Sequence, residues 1–147
     1  MNTAVDNAPY FALVDDDAHS AHLLTRMLLA HGSPRVKTFE GADDAVARLM
    51  PALTAQPVLP TLVIVDLKAH SAANLEFVAK LAPVAGKFDI LIAVMAQWPD
   101  RQAIADLEDA GAAVVFTRHP ELDAYRREAA NIVSFWARNQ RLDAVGM

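Results

Sequence analysis

Five short apolar runs recur along the chain, each followed by a longer segment of helical period, and this alternation constrains the fold most. The runs are residues 10–14 (YFALV), 35–39 (RVKTF), 62–65 (LVIV), 90–94 (ILIAV) and 113–116 (AVVF). Four are continuously apolar, as expected of parallel strands covered on both faces. The second mixes Lys37 and Thr38 among Val36 and Phe39, a composition that suits an edge strand. Between the runs, apolar residues fall at helical spacing. Leu23, Leu24, Met27 and Leu28 share a stripe that ends near His31 and Gly32, a natural C-terminal cap. Ala42, Val46, Leu49, Met50 and Leu53 form a second stripe, stopped by the stretch from Pro57 to Pro60. Leu75, Val78, Leu81 and Ala82 precede Pro83, and Ile104, Leu107 and Ala110 precede Gly111. A last stripe of Leu122, Tyr125, Ala129, Ile132, Val133 and Trp136 fades after Arg141. Strand and helix alternating five times predict an α/β fold, a doubly wound parallel sheet of five strands with five helices.

Composition then narrows the class. The chain has 147 residues, enough for one domain with its own core. Hydrophobic residues make up 54% and charged residues 21%, which argues against global disorder. No apolar run reaches the roughly 18 residues of a membrane helix, and the N-terminus lacks the basic and apolar regions of a secretory signal. Zero cysteines exclude disulfides, thiol catalysis and thiolate metal sites, and fit a cytoplasmic address. A formal net charge of −5 argues against direct nucleic-acid binding.

The polar residues that follow the strands carry the chemistry. The first run leads into Asp15, Asp16 and Asp17, the third into Asp66, the fourth into Met95, and the fifth into Thr117, Arg118 and His119. Ligands of open α/β sheets bind beyond the carboxyl ends of the strands. If strands one and three are neighbours, Asp15, Asp16 and Asp66 converge, and clustered carboxylates either hold a proton or bind a cation. An all-oxygen cluster favours a hard ion such as Mg²⁺. Asp17, directly before the first helix, reads as its N-cap.

With these residues in place, the sequence resembles the receiver domains of two-component response regulators, from about Tyr10 to Arg138. LVDDDAHSAHLL looks like the family's acidic-pair motif, with Asp15 and Asp16 as the pair. LVIVDLKAHSAANLEFV looks like the segment around the phosphoacceptor, with Asp66 in that place. Asn74 stands where the family usually has a glycine in a left-handed turn, and Gly111-Ala112 matches the Gly-Ala before strand five. The resemblance implies a flavodoxin-like strand order of 2-1-3-4-5. It implies phosphoryl transfer to Asp66 from a histidine kinase, a phosphotransfer protein of a phosphorelay, or a small phosphodonor. Mg²⁺ would be held by Asp16, Asp66 and the Lys68 backbone carbonyl, with Asp15 through water. The domain would then span residues 9–140, with an N-terminal extension at 1–8 and a tail or linker at 141–147.

Three positions depart from the family pattern. Met95 replaces the Ser or Thr that hydrogen-bonds the phosphoryl group, and a thioether cannot donate. Arg118 replaces the Lys, in the order Arg118-His119-Pro120, and the aromatic switch position is Val115. These departures predict an atypical receiver, phosphorylatable in principle but switching weakly, by another route or not at all; the alternative is that Arg118 salt-bridges Asp66 permanently and holds one state. Met95 otherwise reads as core filling. His19 and His22 read as an exposed helix face, His70 as a rim residue, and His119 as a loop residue or a phosphoryl contact. Trp98-Pro99 borders the site. Arg126, Arg127, Arg138 and Arg141 read as a solvated face of the last helix.

The expected output is protein–protein interaction, with a downstream protein or an attached output domain. The resemblance implies a homodimer through the fourth helix, fifth strand and fifth helix. Enzymatic turnover is not expected beyond self-phosphorylation from a phosphodonor and slow autodephosphorylation. One alternative is a phosphorylation-independent scaffold. Another is a phosphohydrolase of haloacid-dehalogenase type using Asp15 and Asp17, for which His19 stands where that family wants Thr.

Overall fold

The computed structural model describes residues 8–55 and 58–145. The stretch 1–7, Pro57 and the last two residues of the expected tail lie outside them. Strands β1 (Tyr10–Asp15), β2 (Val36–Phe39), β3 (Pro60–Asp66), β4 (Leu91–Ala96) and β5 (Val114–Thr117) alternate with five helices. These are α1 (Ala18–Ala30), α2 (42–55), α3 (Ala73–Lys87), α4 (Arg101–Ala110) and α5 (Leu122–Val145). Helix α2 opens as Ala42–Asp44, widens into a π-helical turn at Ala45–Leu49 and continues as Met50–Ala55. All strand pairs are parallel and the order is β2-β1-β3-β4-β5. The expected doubly wound topology is therefore the observed one, with the polar β2 at an edge.

Alternate side chains of the central strands enter opposite layers, as the period of two requires. Tyr10, Ala12, Val14, Val63, Val65, Ile92 and Val94 pack against α2, α3 and α4. Phe11, Leu13, Leu62, Ile64, Ala93 and Met95 pack against α1 and α5. Trp136 closes the second layer, its ring edge-on to Phe11 at 5.3 Å and its Nε1 donating to Thr61 Oγ1 at 3.0 Å.

Two helix ends differ from expectation. Helix α3 does not stop before Pro83 but runs through it to Lys87. Proline removes one backbone hydrogen bond to the turn before it, while the fully packed Ala85 anchors the following turn in the core. Helix α5 does not fade after Arg141 but continues to Val145. Gly32, at φ 93, follows α1 with Ser33 N–H donating to Leu28 O, as its capping role predicts.

Candidate functional site

The site forms at the carboxyl ends of β1, β3 and β4. Parallel register sets Asp15 directly beside Asp66 on neighbouring strands. Both are buried, at 2% and 0% exposure, and they are the only buried charged residues among those described. Two adjacent buried carboxylates are tolerable only with strong compensation.

That compensation comes from two cations. Arg118, just past β5, donates to Asp66 Oδ1 from Nε at 2.8 Å and approaches it with Nη2 at 2.6 Å. Lys68, two residues beyond Asp66, brings its ammonium to 2.6 Å from Asp15 Oδ1 and 3.2 Å from Asp66 Oδ1. The same ammonium donates to the Asp66 carbonyl at 3.0 Å. Asp66 Oδ2 is buried without a hydrogen-bond partner. Burial pushes the Asp66 carboxyl above its usual range, against the opposing pull of Lys68 and then Arg118.

The remaining acids are engaged by the backbone. Asp15 Oδ1 also accepts from Asp17 N–H, and its Oδ2 accepts from Ser20 Oγ at 2.8 Å. Asp16 accepts from the N–H groups of Lys68 and Ala69 at 2.9–3.0 Å. Asp17 caps α1 by accepting from His19 and Ser20 N–H groups, as expected.

Asn74 departs from the sequence reading. It lies in the first turn of α3, not in a left-handed turn. Its amide bridges two chain segments, accepting from Leu67 N–H at 2.8 Å and donating to Met95 O at 3.0 Å. Met95 is fully buried in the α1–α5 layer, so it fills core and offers the site only its carbonyl. Arg118 Nη2 reaches that carbonyl at 3.4 Å. Val115 is partly buried against the α2–α4 layer. Tyr125 of α5 has its phenol pushed up to about 12, first by burial and then by the charge of Asp66.

Histidines stay at the margin. His19 and His22 are exposed, His70 Nε2 lies 3.4 Å from Glu76, and His119 Nε2 lies 3.6 Å from Glu128. Glu128, which sequence reasoning missed, also accepts from Thr117 N–H at 2.8 Å and so fixes the end of β5. Arg126 pairs with Asp123, and Arg127 and Arg138 are exposed. An open groove of about 560 Å³ lies over the site, bordered by Lys68, Asn74, Trp98, Asp106 and Arg118. Trp98 is 66% exposed and held at φ 46.

The resemblance implies a Mg²⁺ ion among Asp15, Asp16, Asp66 and the Lys68 carbonyl. Every carboxylate oxygen of Asp15 and Asp16 already accepts hydrogen bonds, and the Asp66 Oδ1 faces two cations. Among the described residues no group of three His, Asp or Glu side chains is arranged to hold a metal ion. Mg²⁺ requires near-octahedral oxygen ligands at roughly 2.1 Å. This arrangement does not fit it.

No protein-family model matches the sequence, and no curated protein matches it. Solved structures do match the fold. The phosphorylated cyanobacterial phytochrome response regulator RcpA is 21% identical at a TM-score of 0.73, covering 88% of this chain and 94% of that one. The Mn²⁺-bound form of a second response regulator is 17% identical at 0.72, covering 88% and 94%. A response-regulator receiver domain from Rhodospirillum rubrum is 16% identical at 0.74, covering 87% and 93%. The fold is that of response-regulator receiver domains.

Proposed function

We propose that this protein is a receiver-type signalling module that acts through protein–protein contacts, its Asp66 site held in one state by its own cations. One observation carries the reading: Asp66 is fully buried with Oδ1 clamped by Arg118 and Lys68. In a switching receiver, phosphorylation adds negative charge at the acceptor carboxylate, and a bistable surface reads it. Here two cations of the chain itself already hold that carboxylate in one arrangement. Core-filling Met95 and the non-aromatic Val115 fit a site that has no phosphoryl group to report.

The same geometry supports a partner surface along the β5 edge. Strand β5 is an edge with every residue half-buried, flanked by α4 and α5. Exposed Trp98 follows β4 and exposed Leu122 opens α5, both past the carboxyl ends of these parallel strands. A downstream protein, an attached output domain or a second copy of the chain would dock there. A cytoplasmic address is part of this proposal; among the described residues no helix is long and apolar enough to cross a membrane.

A second reading keeps Asp66 as phosphoacceptor for a histidine kinase or phosphotransfer protein. The unpartnered Asp66 Oδ2 favours it, since that oxygen is the one left to attack phosphorus. Intact mass after incubation with acetyl phosphate and Mg²⁺ separates the two. The locked-state reading expects an unchanged mass while an ordinary receiver is modified in parallel. A gain of one phosphoryl group, absent from Asp66→Asn, would overturn it in favour of the second.

A further inference from the structure

The neutralising cation of a receiver-like acidic pocket need not be a metal. Asp15 and Asp66 form a buried pair on adjacent strands, and such a pair repels itself strongly unless a positive charge stands between its members. Lys68 Nζ stands there. Three oxygens lie within 3.2 Å of it: Asp15 Oδ1, the Asp66 carbonyl and Asp66 Oδ1. An ammonium group has three N–H donors, so the cage matches its valence.

Asp16 reinforces the arrangement from the backbone side. Its carboxylate accepts the N–H groups of Lys68 and Ala69, which pins the segment carrying the lysine. An acid that would otherwise ligate an ion thus fixes the group that replaces one. Arg118 balances the second charge of the buried pair, leaving two carboxylates facing two cations. A divalent ion entering this pocket would have to displace the ammonium against like charge and strip hydrogen bonds from Asp15 and Asp16.

We infer that Lys68 is the resident cation of this pocket, its ammonium standing where a divalent ion would neutralise Asp15 and Asp66, and that no divalent ion binds there. The inference rests on the receiver-type reading for its meaning. Its test does not use phosphorylation.

The full chain is titrated with Mn²⁺ while paramagnetic broadening is followed in its amide spectrum. In the wild type, no saturable broadening is expected around Asp15, Asp16 and Asp66. Lys68→Met should create it, with affinity tightened by about tenfold or more as one charge leaves a half-buried pocket. Lys68→Arg, which keeps the charge, should behave as the wild type. Saturable broadening of the wild type at Asp66 would overturn the inference, as would a folded Lys68→Met that binds no more Mn²⁺ than the wild type. If Lys68→Met fails to fold, Lys68→Gln serves as the neutral variant, and the wild-type titration decides on its own. Phosphoryl gain with acetyl phosphate would defeat the locked-state reading separately, without bearing on where Mn²⁺ binds.

Discussion

Asn74 ties the end of β3 to the end of β4 through a single amide, and its role shows how much of the site depends on individual polar contacts. Its Oδ1 satisfies Leu67 N–H and its Nδ2 satisfies Met95 O. Asn74→Ala would strand two backbone groups at the base of the pocket, a loss of about 2 kcal/mol. Chemical denaturation checks it, and Asn74→Asp, which keeps only the acceptor, should fall between the two. A variant as stable as the wild type would contradict this role. The sequence made Asn74 stand out for the wrong reason, because tolerance of a left-handed turn and the ability to bridge two strands belong to the same side chain. Asp15, Asp66 and Arg118 were legible because each stands at the carboxyl end of a strand. The Lys68 ammonium was not, since nothing in hydrophobic periodicity says that a side chain folds back over the residue two positions earlier.

At the scale of elements, helix ends separate what local chemistry decides from what packing decides. Gly32 and Gly111 both follow helices at positive φ, and Gly32 was readable as a cap. Their surroundings differ. A Cβ at Gly32 meets nothing within 4 Å, whereas one at Gly111 would lie 2.5 Å from Ala82 Cβ on α3. Gly32→Ala should therefore cost only the conformational penalty of about 1 kcal/mol. Gly111→Ala adds a steric conflict between α3 and the loop into β5, for a total of about 3 kcal/mol. Urea denaturation of the two variants tests the ranking, and equal losses would refute it. The passage of α3 through Pro83 is the converse lesson: a local breaker yields when the next turn is anchored in the core, as Ala85 is.

For the whole molecule, the doubly wound sheet was legible because four strands are apolar on both faces and the helices between them are long enough for crossovers. The edge position of β2 followed from Lys37 and Thr38, both exposed. The state of the site was less accessible. Sequence motifs named the acids of a phosphoacceptor site, while the three-dimensional arrangement gives them to Lys68, Arg118, Ser20 and backbone N–H groups. We propose that this site rests with Asp66 already clamped by Arg118 and Lys68 and has no switch to throw. The most direct test is the amide spectrum of the full chain before and after beryllium fluoride with Mg²⁺, a mimic of the carboxyl-bound phosphoryl group. We expect the resonances of Asp66, Met95, Arg118 and β5 to stay in place. Displacement of those resonances, absent from Asp66→Asn, would show a responsive acceptor and contradict the account.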